Sequence, residues 1–173
     1  QRRHFAPLVP EVTHVPYAPC YRCPFGLVPE TCDMACVSYL EDEVFRRHVP
    51  PEEVAAIFVE PIQGEGGIIV PPARWLPALA HLARRHGILL VVDEIQTGLG
   101  RTGRMLAVDH VDVAPDIVCL AKGLASGLPL GAMIARASLH TWESGAHAST
   151  FGGNPVACAA ALETLRLVQD SLV

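Results

Sequence analysis

Three polar residues close apolar runs in this chain. Glu60 ends Val54-Ala-Ala-Ile-Phe-Val-Glu60, Asp93 ends Ile88-Leu-Leu-Val-Val-Asp93, and Lys122 stands just past Asp116-Ile-Val-Cys-Leu120. In open α/β sheets, ligands sit beyond the carboxyl ends of the strands, so all three side chains should face one crevice. A carboxylate and an amine just past neighbouring strands can hold the two ends of a flat cofactor. The same groups can equally form an ion pair at the sheet edge. Lys122 is the only lysine among 13 basic residues. It lies between an apolar run and a glycine-rich stretch, the wrong place for a casual surface charge.

The elements that must position these residues follow from periodicity. Val54–Glu60 is a compact apolar run, typical of a strand buried on both faces. The loop Gln63-Gly-Glu-Gly-Gly67 follows. Pro71 and Pro72 then precede a helix whose apolar positions Leu76, Leu79, Ala80 and Ala83 are three and four apart. Gly87 is placed to end it, and Arg84 and Arg85 favour its negative C-terminal end. Ile88–Asp93 is the next strand, which completes the strand–helix–strand signature of a parallel sheet. Asp116–Leu120 is a third strand. Leu130–Arg136 is a fourth; it follows too closely for a helical crossover and is expected to run antiparallel to the third. A helical pattern runs from Pro155 to Val168. Residues 1–50 lack a clear period and read as a long ordered loop ending in a helix around Met34–His48; residues 51–173 form the core. The expected fold class is α/β, a mostly parallel sheet flanked by helices.

Composition sets the outer bounds. The chain has 173 residues, half of them hydrophobic and 18% charged, enough for one domain with a real core. The net charge of -5 is scattered, with no basic run for nucleic acid and no apolar segment long enough to span a membrane. No signal peptide is read, and the expected location is the cytoplasm. The chain begins with Gln1 and ends inside a helical pattern, as a piece cut from a longer protein would. Cys20, Cys23, Cys32 and Cys36 offer the four soft ligands of a structural zinc site, or packed thiols; the second reading is preferred, and no metal is expected. Asp109, His110 and Asp112 read as loop polarity.

The local sequences carry a resemblance. Val91-Val-Asp-Glu-Ile-Gln-Thr-Gly-Leu-Gly-Arg-Thr-Gly103 is similar to the class III aminotransferase motif around the pyridine-binding aspartate. Leu120-Ala-Lys-Gly-Leu-Ala-Ser-Gly-Leu-Pro-Leu-Gly-Ala132 resembles that family's motif around its Schiff-base lysine. Val59-Glu-Pro-Ile-Gln-Gly-Glu-Gly-Gly67 and Ser149-Thr-Phe-Gly-Gly-Asn-Pro155 match two further motifs, in the same order. Cys-Pro-Phe-Gly after Tyr21-Arg22 resembles a loop of one bacterial and archaeal branch.

The resemblance implies the large domain of the type I pyridoxal-phosphate-dependent fold, incomplete, without its N-terminal part and C-terminal small domain. It implies pyridoxal 5'-phosphate as cofactor, held by Lys122 as an imine and by Asp93 at the ring nitrogen. Gln96 would bond the ring hydroxyl, Thr150 would reach the phosphate of the neighbouring subunit in a homodimer, and Glu65 would serve substrate recognition. Glu60 is expected to support Gln96 or Asp93 from behind. The implied activity is transfer of an amino group from an amino acid or omega-amino acid to a 2-oxo acid. An amino-acid racemase or an aminomutase of the same fold is the alternative. No Gly-x-Gly-x-x-Gly follows a first strand, which disfavours a plain nucleotide-binding domain.

Overall fold

The computed structural model describes residues 4–172. Gln1 to Arg3 of the expected 1–50 segment, and Val173 of the expected core, lie outside the described residues. Four strands form one sheet in the order β1-β2-β3-β4: β1 Ala56–Val59, β2 Leu89–Asp93, β3 Ile117–Leu120 and β4 Ala132–Ala135. β1 and β3 both pair with β2 in parallel, and β4 pairs with β3 antiparallel. This is the expected topology, and its cause is connection length: a helix links β1 to β2, whereas only a short turn and loop link β3 to β4.

Three helices accompany the sheet. The first, α1, runs over 35–47 and is interrupted by a π-helical turn, Leu40–Val44, that turns Leu40 and Val44 into the core. The second, α2 (Trp75–His86), buries Trp75, Leu76, Leu79, Leu82 and Ala83. Burial of each large apolar side chain is worth roughly 1.5–3 kcal/mol against exposure. Gly87 ends α2 at φ 70°, and its N–H donates to the carbonyls of Ala83 and Arg84. A side chain there would be strained, so the sequence signal for the helix end has a direct backbone cause. The third helix, α3 (Pro155–Leu172), starts with the Asn154 side chain accepting the N–H groups of Val156 and Ala157.

The core has two parts. One lies between α1, α2 and the β1–β2 half of the sheet, centred on Leu79, Leu90 and Val92. The other joins Val118 and Leu120 of β3 to Leu124, Ala125 and the small residues Ala157 and Ala161 of α3. Asp116 fastens the start of β3 to both neighbours. It accepts the Leu90 N–H at 2.8 Å and pairs with the Arg136 guanidinium at 3.1 Å.

One expectation needs correction. β1 is not buried on both faces: Phe58 is 70% exposed, and Met133 and Ile134 of β4 are 49% and 55% exposed. α1 and α2 cover one face of β1, while no described element covers Phe58 on the other. An apolar run reads alike whether one face or two is covered.

α1 and α2 are also joined at the surface, where Glu41 meets His86 at 3.0 Å and the Arg85 guanidinium. The hydrogen bond to His86, and then that to Arg85, holds the Glu41 carboxyl below its usual range. A depressed acid stabilises the fold above its unfolded pKa, and that contribution is lost as pH falls through the folded value. Because the pair is partly exposed, its worth is about 1 kcal/mol or less. Comparing the thermal unfolding of wild type and Glu41→Gln should therefore show a wild-type advantage near neutral pH that fades below about pH 4.5. An advantage that persists unchanged at pH 3 would contradict the ion-pair account.

Candidate functional site

The carboxyl ends of β1, β2 and β3 point to the same edge of the sheet, because all three strands run in parallel. Asp93 is the last residue of β2 and is half-buried. Its Oδ1 accepts the N–H of Ile95 at 2.9 Å, which fixes the carboxyl at the mouth of the turn that follows. Lys122 begins a short 3₁₀ turn, Lys122–Ala125, directly after β3. Its φ is 46°, in the left-handed region that residues with a Cβ rarely adopt. Strain of this kind persists where the surroundings impose it, and such positions cluster at functional sites. The Lys122 amine is exposed, and Nζ donates to Oε1 of Gln96.

Gln96 is thus held from one side by Lys122. On the other side it packs against Gly64, where an added Cβ would lie 2.7 Å from Nε2 of Gln96. The glycine in Gln63-Gly-Glu-Gly-Gly67 is needed for this close approach. Glu60 fixes the same loop, since one of its carboxyl oxygens accepts the N–H of Gly64. Glu60 therefore acts on the loop that backs Gln96, rather than by a bond to Gln96 or Asp93.

Glu60, Glu65, Asp93, Gln96 and Lys122 line one small recess at this edge. It adjoins an open cleft of about 720 Å³ that Gln96 and Lys122 share with Ile68, Arg101, Thr164 and Val168. Four of the five site residues expected from sequence, Lys122, Asp93, Gln96 and Glu65, are brought together. Thr150 is not among them. It lies exposed in the loop before α3 and lines neither the recess nor the cleft of its own chain.

Carboxyl groups at this edge bear on their neighbours. Burial pushes the Tyr17 hydroxyl up, and the charges of Glu60 and Asp93 add to that rise, against the hydrogen bond from Glu60. Burial and the Asp93 charge likewise raise the Cys119 thiol, which neighbours Asp93 across the β2–β3 pair.

Sequence reasoning missed three residues. The Tyr17 hydroxyl accepts the Glu60 N–H at 2.9 Å, across 43 positions of chain. Glu94 and Thr97 are buried, at 1% and 5% exposure. Glu94 accepts the Thr97 hydroxyl and, at 2.9 Å, the N–H of Val108. The one available signal was the spacing of three between a carboxyl and a hydroxyl within a short turn. Elsewhere, Cys20, Cys23, Cys32 and Cys36 line one small cavity of about 20 Å³ as free thiols. Burial raises Cys20 and Cys36, with Cys32 close to both. Asp109 accepts the Leu106 N–H, and His110 meets Thr102, so both serve the loop around 3₁₀ turn Ala107–His110. Among the described residues, no group of three His, Cys, Asp or Glu side chains is placed to hold a metal ion. Among them also, no helix is long and apolar enough to cross a membrane.

A mainly parallel sheet with an amine, an amide and a carboxyl converging at its strand ends defines a cofactor-binding α/β core. The profile of the family described as Aminotransferase class-III matches residues 1–173, and the chain belongs to that family. It is 46% identical over 170 residues to the acetylornithine aminotransferase of Methanopyrus kandleri, covering 98% of this chain and 38% of that protein. It is 44% identical over 161 residues to the leucine/methionine racemase of Thermococcus litoralis, covering 92% of this chain and 36% of that protein. Among solved structures, an amine transaminase from an uncultivated Pseudomonas species, in its PLP-bound form, superposes with a TM-score of 0.81 at 39% identity. That match covers 89% of this chain and 37% of the other. The chain thus spans less than two fifths of the length of each of these relatives.

The turn after β2 is tightly packed. A Cβ on Gly98 would lie 2.9 Å from the Glu94 carbonyl oxygen and 2.9 Å from a methyl of Leu120. Gly98→Ala should therefore cost about 1–3 kcal/mol of stability, as overpacking typically does. Denaturant unfolding measures it, and an unchanged midpoint would show that the turn has room to shift.

Proposed function

We propose that this chain is the cofactor-binding core of a pyridoxal-phosphate-dependent aminotransferase, acting on an amino acid or omega-amino acid donor and a 2-oxo acid acceptor. The observation that carries the reading is the convergence of Asp93, Gln96 and Lys122 at the carboxyl edge of the sheet. The donor set fits the group. Pyridoxal phosphate has an aldehyde that requires a primary amine, and Lys122 is the only lysine in the chain. It has a ring nitrogen that works best protonated, and Asp93 is a half-buried carboxyl at the end of β2.

Lys122 would hold the cofactor through Nζ, Asp93 would pair with the ring nitrogen, and Gln96 would bond the ring hydroxyl. Bound there, pyridoxal phosphate would supply an electron sink for the bond broken at the substrate carbon that bears the amine. Lys122, lining the cleft, would also be the base, its Nζ moving a proton between the substrate carbon that bears the amine and the cofactor. Asp93 would face the ring nitrogen with its carboxyl already oriented by the Ile95 N–H, so little reorganisation would be needed as electrons move. Gln96 accepts a hydrogen bond from the Lys122 amine and so lies beside it. Glu65, exposed and lining the recess, would serve substrate recognition.

The same reading includes a homodimer and a cytoplasmic location. The position of Thr150, exposed and away from its own cleft, supports a role in the site of a neighbouring subunit. The similarity to a leucine/methionine racemase supports a second reading, racemisation with the same lysine and aspartate.

Borohydride reduction of the cofactor-loaded full-length protein, followed by peptide mapping, should label Lys122. Label on another lysine would refute its role. Asp93→Asn should bind cofactor yet lose ~10²-fold or more in turnover, as when another preorganised electrostatic partner is removed. Near wild-type turnover would remove Asp93 from the mechanism. Incubation with a single-enantiomer amino acid and no 2-oxo acid separates the two readings. An aminotransferase stops after one half-reaction, whereas a racemase goes on to produce the opposite enantiomer.

A further inference from the structure

Gln96 projects from a turn that is fixed on both sides. The Glu94 N–H donates to the Cys119 carbonyl at 3.0 Å, and the Glu94 carbonyl accepts the Gly98 N–H at 2.9 Å. The Glu94 side chain is buried at 1% exposure, with the Val108 N–H donating to Oε1 at 2.9 Å and the Thr97 hydroxyl donating to Oε2. A side-chain bond inside the protein therefore joins positions 94 and 97, one on each side of Gln96. The same carboxyl ties that turn to the separate segment Ala107–His110.

We propose that the Glu94–Thr97 pair is a positioning device for Gln96, holding its amide where it meets the Lys122 amine and the cofactor. The proposal rests on the reading of Gln96 and Lys122 as a cofactor-facing pair. Burying a carboxyl is costly unless its oxygens are hydrogen-bonded, and an apolar pair of the same size would fill the space without that cost. What an apolar pair lacks is direction. Two directional bonds, one to Thr97 and one to Val108, fix the turn within itself and against the Ala107–His110 segment, while the Glu94 N–H ties it to β3. Gln96 has three side-chain torsions of its own, so its amide is placed only if its backbone is. Gly64 then closes the remaining side, since its bare Cα packs against the amide.

The test uses the full-length protein and added pyridoxal phosphate. Thr97→Val removes the hydroxyl with little change of shape, and Thr97→Ser retains it. Thr97→Val should weaken pyridoxal phosphate binding about tenfold, a mid-range coupling for contacting groups, and should shift the pH at which the bound chromophore's absorption changes. Thr97→Ser should restore both to within about twofold, well inside that coupling. In a Gln96→Ala background, Thr97→Val should add little, because the amide it positions is gone. Should Thr97→Val fail to fold, Thr97→Ala takes its place in the same cycle. It removes the hydroxyl, and so the bond to Glu94, without a second methyl to fit. Wild-type affinity and spectrum in Thr97→Val would overturn the proposal. So would the same added loss with and without Gln96, which marks a merely structural role. Gln96→Ala with wild-type affinity and spectrum would instead overturn the underlying reading of Gln96, and the proposal with it.

Discussion

The site depends on parallel pairing of β2 with both its neighbours. Parallel strands align their carboxyl ends, so the residues that close three separate apolar runs arrive at one edge once the runs pair side by side. Register sharpens the effect. Asp93 pairs with Cys119 across the β2–β3 ladder, so Lys122 starts its turn only three positions beyond the residue beside Asp93. A slip of one residue would send Asp93 to the opposite face and break the constellation. Asp116 guards against such a slip, since its carboxyl binds the backbone of β2 at one end of the pair and Arg136 beside β4 at the same end.

Around that edge the molecule uses unusual backbone where it needs a side chain delivered, and glycine where it needs close approach. Lys122 carries positive φ despite its side chain, while Gly64 and Gly98 give up a Cβ to let Gln96 and Glu94 pack. These devices work in concert. The loop after β1 is held by Glu60, the turn after β2 by Glu94, and the turn after β3 by its own 3₁₀ hydrogen bonds and its packing on α3. Each strand end thus carries a separate fastening, and the three fastened segments meet at the amide of Gln96.

Charge is distributed with the same economy. Burial raises the Tyr17 hydroxyl and the charges of Glu60 and Asp93 add to it, while burial and then Asp93 raise the Cys119 thiol. The lone lysine enters this field from β3. An exposed amine beside carboxyls can be read as a simple ion pair, but Lys122 donates to a neutral amide, and no ion pair of Lys122 is present among the described residues. That leaves its nitrogen addressed to the cleft instead of neutralised at the sheet edge.

The sequence by itself determined the strands, their order of direction and the identity of the residues at their ends. It could do so because these are local matters: apolar runs of strand length, one helical period between β1 and β2, and a connection after β3 too short for a crossover. Gly87 as a helix end was legible for the same reason. The tertiary structure alone decided which faces are covered. Phe58 sits in a run that reads as fully buried, yet it is exposed, because burial depends on what packs against a strand and not on the strand's own composition. Glu94 shows the converse. A carboxyl reads as solvated until the fold supplies Thr97 and a backbone N–H from 14 positions away. Tyr17 could be joined to Glu60 only once the chain had folded, and Thr150 could be separated from its own cleft only then. Contacts of that range leave no period in the sequence, since they are fixed by the closure of loops and not by the spacing of residues.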